Sequence, residues 1–402
     1  MIYAIVIIGL LILTYRYDYR KEESGRLMWY MVALLVFILI AGLRYRLGTD
    51  SVRYERFFIH GKTLATMEMD DFSSTRFSPL YVLMNVTVRT FTDQFVAFQI
   101  VHAIIVNSVI FYFIYKNTRN IFFGILIYGF FLYTALNMEA LREAFAVVVF
   151  LLAWPSFREG KWLMWYLLSF IAFLCHTSAV FMFILPVIVL PGIRELFVIG
   201  RRTVVICILL CAVSFVIRAK FFNYIEQIAM LEEVAERAHV YSKNALSSSG
   251  LNLVGIILYF FRLVLYPVLA LYILCNKENP SLNKNSRFVE MTMMSVYVGI
   301  VSIAITIIYR FNNYFFFFII VTLADLIYTN FTINFKKYSF RYLTWIFIFV
   351  PFFYLQVFVI YMGNVNRTGT LKTYMNYYPY NSRLDMNKDE DREKVFRFNH
   401  SY

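Results

Sequence analysis

The chain has 402 residues, of which 60% are hydrophobic, 20% aromatic and only 16% charged, and its formal net charge is +13. A soluble domain carries about 25% charged and about 45–50% apolar residues, so a soluble fold of this composition would lack the polar surface to cover its apolar mass. Disorder, a soluble nucleic-acid-binding domain and a secreted disulfide scaffold are thereby excluded, leaving an all-α, polytopic integral membrane helical bundle.

A crossing helix needs about 20 mainly apolar residues. Candidate runs lie at 1–15, 27–43, 94–115, 120–136, 138–154, 162–190, 203–219, 251–275, 288–309, 311–330 and 342–362. Together they predict about 11–12 transmembrane helices. The first run has no basic segment before it and no small-residue cleavage site after it, so it reads as a span rather than a removable signal. Segment 79–91 is too short and polar for a span and reads as a re-entrant or interfacial helix. Residues 1–362 are expected to form one transmembrane domain, with outward loops at 44–78 and 218–250, followed by a polar tail at 363–402. Within the second loop, residues 221–241 place apolar positions at helical spacing, as in an amphipathic helix on the membrane surface or an ordinary solvated helix. Cys175, Cys207, Cys211 and Cys275 show neither CxxC nor zinc spacing and read as membrane-buried hydrophobes.

Short basic loops mark the cytoplasmic side. Arg16, Arg20, Lys21 and Arg26 place the first loop inside. If 162–190 crosses twice, with a break near His176, the later basic loops also fall inside. A single crossing there, with 79–91 crossing instead, preserves the same orientation for the C-terminal half. The first topology is preferred.

Against that orientation, loop 44–78 carries Arg44, Arg46, Arg53, Arg56, Lys62 and Arg76 on the outward side. Arginine presents a planar fork of donors suited to phosphate. Arg44 and Arg46 close a span, where they could meet a lipid-linked diphosphate at headgroup depth. The other reading is interfacial snorkelling with an Arg–Asp pair involving Asp50. Gly48 permits a tight turn between them. Three more polar positions interrupt apolar sequence. Arg142 is flanked by Glu139 and Glu143, either of which could neutralise it, although only the first is expected to share its helix face. His176 lies within a long apolar run, as a functional ionisable group or as a histidine bonded to a neighbouring helix. Arg310 separates two apolar runs, before Asn312, Asn313 and Tyr314, as a ligand group or as part of an ordinary turn. In the preferred topology all of them face outward, which argues for one shared cavity. No Gly-rich nucleotide loop, DxD motif or metal cluster stands out, so neither a cofactor nor a metal is expected.

The string Gly42-Leu43-Arg44-Tyr45-Arg46-Leu47-Gly48-Thr49-Asp50-Ser51-Val52-Arg53-Tyr54 resembles the N-terminal motif of the EpsG family, membrane proteins of bacterial exopolysaccharide and capsule clusters similar in role to Wzy polymerases. The resemblance continues at Leu141-Arg142-Glu143-Ala144-Phe145-Ala146, at Cys175-His176-Thr177-Ser178-Ala179 and at Arg310 with Tyr314. It spans roughly residues 40–330, departing at Glu143, where a Gln-like residue is expected; the tail beyond 363 adds no matching motif.

The resemblance implies a polymerase in the bacterial cytoplasmic membrane that joins undecaprenyl-diphosphate-linked oligosaccharide repeats on its outer face. Membrane lipids, a flippase and chain-length regulators are the implied partners, and nucleic acid is not. In that chemistry Arg44, Arg142 and Arg310 would bind the diphosphate, with Arg46, Gly48, Tyr54 and Tyr314 completing the substrate site. Asp50 or His176 would accept the proton of the attacking hydroxyl. Two other classes remain: a flippase for the same lipid-linked oligosaccharide, and a non-catalytic component of the assembly complex.

Overall fold

The computed structural model describes residues 2–48, 50–73, 75, 77–197, 202–203, 205–210, 212–213, 265–275, 286–304, 308–332 and 380–384. The expected amphipathic helix at 221–241, the span at 342–362, most of the 251–275 run and most of the polar tail lie outside the described residues.

The described chain is all-helical and forms two compact units, the first comprising residues through Ile184 with the described parts of Ala324–Ile346 and Gln356–Tyr402. It opens with α1 (Ile2–Leu13), which continues as a π-turn over Thr14–Tyr19, and α2 (Arg26–Gly42). The short helices α3 (Ser51–Ile59), α4 (Asp70–Ser73) and α5 (Pro79–Phe91) follow. Next come α6 (Phe95–Asn117), α7 (Ile121–Phe131), α8 (Leu141–Glu159), α9 (Trp162–Cys175) and the single turn α10 (Phe181–Ile184). Helix α6 is the hub: α2, α5, α7 and α8 all pack against it, while α9 packs along α8.

Two described helices are long and apolar enough to cross a membrane, Ile2–Tyr19 and Phe95–Asn117, and a third counts if Thr177–Val189 and Pro191–Phe197 form one broken span. Helices α2, α7 and α9 are apolar but shorter. The 14 residues of α9 reach about 21 Å at 1.5 Å per residue. Exposed apolar side chains run along α2 at Met28, Met31, Leu35 and Leu39, and along α9 at Leu163, Leu167, Phe170 and Ile171. Soluble monomers rarely expose contiguous patches of this kind, whereas a lipid-facing helix requires them.

Several polar residues of the buried interior are paired within the bundle. Asn107 on α6 donates through Nδ2 to Asn137 Oδ1 (2.8 Å), and Asn137 Nδ2 donates to the Tyr128 hydroxyl (2.9 Å). This network ties α6 and α7 to the π-turn Ala135–Glu139 that precedes α8. At one end of the unit, Lys21 Nζ donates to Asn120 Oδ1 (2.9 Å) and the Thr118 hydroxyl to Asp325 (2.6 Å).

Segment 79–91 forms a 13-residue helix started by a proline at its first turn. At about 20 Å it is shorter than the roughly 30 Å hydrocarbon core. The break expected near His176 is present: α9 ends at Cys175 and His176 is extended, with φ −158° and ψ 135°.

The second unit contains α11 (Pro191–Arg194), α12 (Tyr266–Cys275), α13 (Ser286–Ala304) and the first part of α14 (Tyr309–Thr332). Arg194 Nε donates to Glu290 Oε1 (2.9 Å) and the Ser295 hydroxyl to Asn312 Oδ1 (2.6 Å). Here the expected turn at Arg310 needs correction. Arg310 is the second residue of α14, inside a helix rather than in a turn.

Candidate functional site

The segment from Leu43 to Asp50 turns sharply between α2 and α3. Arg46 adopts a left-handed conformation (φ 50°) and Gly48 has φ 94°. Gly48 lies flat against the backbone of Met138, and a Cβ there would overlap the Met138 carbonyl group. That approach seats the Arg44 segment against the π-turn leading into α8, so the first and second sequence motifs meet.

Arg44 is fully buried, which corrects the expectation that it meets a ligand at headgroup depth. Its Nη1 donates to the Ala41 carbonyl, closing the C-terminal end of α2. Nε and Nη2 have no hydrogen-bond partner among the described groups. Burial pushes Arg44 down to about 10, offset in part by the surrounding tyrosines Tyr133, Tyr380, Tyr3 and Tyr81, so it remains a cation at neutral pH.

Arg142, on the first turn of α8, stands over the Phe77 ring at 4.8 Å, and its charge acts on the buried Tyr54 hydroxyl. Arg53 lies 5.6 Å from the same ring, so Phe77 supports two guanidinium groups. Burial raises Tyr54 above its usual range, which keeps its hydroxyl neutral, and Asp50 adds to that rise. Asp50 itself is exposed, immediately before α3. The expected face-sharing of Glu139 and Arg142 is not present. Ala140, with φ −98° and ψ 55°, ends the π-turn and separates Glu139 from α8. Glu143 is buried in the first turn of α8, where the helix dipole favours a carboxylate.

Residues outside the sequence motifs complete the cluster. His102, fully buried on α6, approaches the Leu141 carbonyl through Nε2 (3.2 Å) and packs edge-on against Phe145 at 4.8 Å. Its Nδ1, the Tyr81 hydroxyl and Gln99 Oε1 are buried without a hydrogen-bond partner among the described groups. A histidine and a glutamine inside the 94–115 apolar run were available as a sequence signal, because intramembrane polar residues seldom lack a role.

The tail supplies the least expected element. Asn381 accepts from Tyr45 N (2.8 Å), Arg383 N donates to Leu43 O (2.9 Å), and Ser382 thereby forms an antiparallel bridge with Arg44. The Tyr380 hydroxyl donates to Ile40 O (3.0 Å). Arg383 pairs with Glu55 on α3 at 2.5 Å, and Arg46 approaches the same carboxylate at 3.7 Å. The sequence offered no local sign of this clamp, since its two halves lie far apart along the chain.

His176 bonds Ser178 within its own turn. Nδ1 accepts the Ser178 backbone N–H (3.1 Å) and lies 2.6 Å from the Ser178 hydroxyl. The His-x-Ser spacing thus caps the 3₁₀ turn Thr177–Val180. With Nδ1 accepting, a neutral ring carries its proton on Nε2, which makes that edge a donor rather than a base. Arg310 is exposed and Tyr314 fully buried, both in the second unit.

Beside the cluster, a cleft of about 180 Å³ is lined among others by Phe57, His60, Lys62, Asn85 and Arg89. Its cations are paired: Lys62 with Asp71 (2.9 Å), and Arg89 with Asp93 (3.3 Å). Among the described residues no group of three or more His, Cys, Asp or Glu side chains is placed to hold a metal ion.

No curated protein and no solved structure matches the chain. The EpsG family model does match it, over residues 27–382, a stretch running from α2 to the Ser382 bridge and enclosing every motif that meets in the cluster. The chain therefore belongs to the EpsG family, and with it to exopolysaccharide biosynthesis.

Proposed function

We propose that the protein is a polysaccharide polymerase acting on undecaprenyl-diphosphate-linked oligosaccharide repeats at the outer face of the cytoplasmic membrane. One observation carries this reading. The first and second motifs meet where Gly48 lies against the Met138 backbone, Arg53 and Arg142 share the Phe77 ring, and exposed Asp50 follows Gly48 in the same loop. Such a site offers fixed positive charge beside one exposed carboxylate.

In the reaction, a hydroxyl oxygen of one repeat attacks the anomeric carbon of another. The bond from that carbon to the diphosphate oxygen breaks, and its electron pair leaves with undecaprenyl diphosphate. Arg142 neutralises the charge developing on the departing diphosphate. Asp50 takes the proton of the attacking hydroxyl. Buried Arg44 acts at one remove, through the field it sets at the loop. His176 orients by donation, because its Nδ1 is already accepting from Ser178. The neighbouring cleft, with paired charges and aromatic faces, suits sugar hydroxyls better than a second anion.

Asp50→Asn tests this directly. Loss of a positioned base typically lowers rate by about 10²–10⁴-fold, so cells carrying the variant should accumulate single repeats outside and make little long polymer. Full-length polymer at normal protein level would remove Asp50 from the mechanism. Single repeats accumulating inside would instead support the flippase reading.

A further inference from the structure

We propose that the cleft beside the cluster seats one uncharged sugar ring of the repeat unit, with Phe57 as its stacking face and Asn85 and Arg89 as the groups that recognise it, an inference that rests on the polymerase reading above. The cleft holds about 180 Å³, below the roughly 300–1,000 Å³ of sites for drug-sized ligands. It therefore suits one sugar ring rather than an oligosaccharide. Phe57 lines the cleft and packs on Phe77 at 4.2 Å between ring centroids. Phe77 in turn supports the Arg142 guanidinium. Two packed rings thus separate a sugar in the cleft from the group that neutralises the departing diphosphate, a spacing that fits a sugar next to the reacting one. Contacts to such a non-reacting residue would hold the repeat in register for transfer.

Asn85 and Arg89 stand four residues apart on α5, so they share a helix face, and both line the cleft. Asn85 is only 3% exposed; its Nδ2 donates to the Tyr81 carbonyl (2.7 Å), while its Oδ1 has no hydrogen-bond partner among the described groups. Arg89 Nε donates to the Gly61 carbonyl (3.0 Å) and Nη2 faces Asp93 (3.3 Å), while Nη1 is buried without a hydrogen-bond partner among the described groups. Buried polar atoms left unpaired call for a ligand or a bound water. One unmet acceptor and one unmet donor on the same face match neighbouring sugar hydroxyls, the first donating to Asn85 Oδ1 and the second accepting from Arg89 Nη1. Charge argues against an acidic sugar. Lys62 already faces Asp71 (2.9 Å) and Glu68 (3.6 Å), and Arg89 already faces Asp93. Phe57 is half-buried, so part of its ring stays open to the apolar face of a sugar.

The experiment uses the purified full chain in detergent. The probes are the methyl glycosides of glucose, galactose, mannose and N-acetylglucosamine, with methyl glucuronide as the acidic control, and binding is read by saturation transfer from protein to sugar protons. At least one uncharged glycoside should bind, and more tightly than the glucuronide. Asn85→Ala should weaken it up to about tenfold, the loss expected for one hydrogen bond. Phe57→Leu, which keeps an apolar side chain but loses the ring, should weaken it about three- to tenfold. With lipid-linked repeats in nanodiscs, both variants should raise KM while kcat stays near the wild-type value, a split that a misfolded chain would not show. A wild-type chain that binds no uncharged glycoside, or binds the glucuronide as tightly, would overturn the proposal. Variants that bind like the wild type, or that lose kcat with KM unchanged, would overturn it as well. In each of these cases the polymerase reading survives if the wild type still forms linkages. A chain that binds the sugar through Phe57 and Asn85 yet forms no linkage would overturn the polymerase reading, and with it the place of the cleft in that reaction.

Discussion

Replacing Arg142 with glutamine is expected to cut polymer formation at least about 100-fold, the usual loss when one fixed donor to a developing anion is removed. Protein level in the membrane should stay close to normal. Arg142 is only half-buried, so glutamine leaves little cavity, and Phe77 keeps Arg53 on its ring. What disappears is the guanidinium held over the Phe77 ring. Polymer length in cells, measured beside membrane protein level, separates the two effects. Normal polymer from a normally expressed Arg142→Gln variant would show that the residue has no part in transfer.

Gly48→Ala is expected to act through the fold. A side chain at φ 94° is strained, and here the new Cβ also falls on the Met138 carbonyl, which is backbone and cannot rotate away. Strain of about 1–3 kcal/mol adds to the displacement of the loop, for an expected loss near 3 kcal/mol. The thermal midpoint of the purified chain should fall clearly, and polymer should fall with it, because Arg44, Asp50 and Tyr54 all ride on that loop. Gly9→Ala is the control: nothing lies within 4 Å of its added methyl, so it should leave both readouts unchanged. A Gly48→Ala chain as stable as Gly9→Ala would mean the approach to Met138 is dispensable.

The elements that were readable in the sequence are those governed by local rules. Hydropathy identified an all-helical membrane chain, and the polarity of 79–91 marked a helix too short to cross. An ionisable residue inside an apolar run marked the break at His176, whose side chain caps the next turn by accepting the Ser178 N–H. Arginines crowded into one loop, with a glycine between them and an aspartate, pointed to the loop that meets α8. Depth was not readable. Sequence places Arg44 at a helix end but does not say that the Ala41 carbonyl, four tyrosines and the tail enclose it. The register of Arg310 was also missed, because a polar residue just inside a helix resembles one just before it. Arg383 was invisible for a different reason. Its partner Glu55 lies at the other end of the chain, and no periodicity connects them.

The most direct test is reconstitution of the purified full chain in lipid nanodiscs with undecaprenyl-diphosphate-linked repeat units as the sole substrate. The wild type should yield a ladder of oligomers and release one undecaprenyl diphosphate for each linkage formed, and Arg142→Gln should yield neither. A wild-type chain that binds the substrate yet forms no linkage, or an Arg142→Gln chain that forms the same ladder, would contradict the assignment of polymerisation to this site.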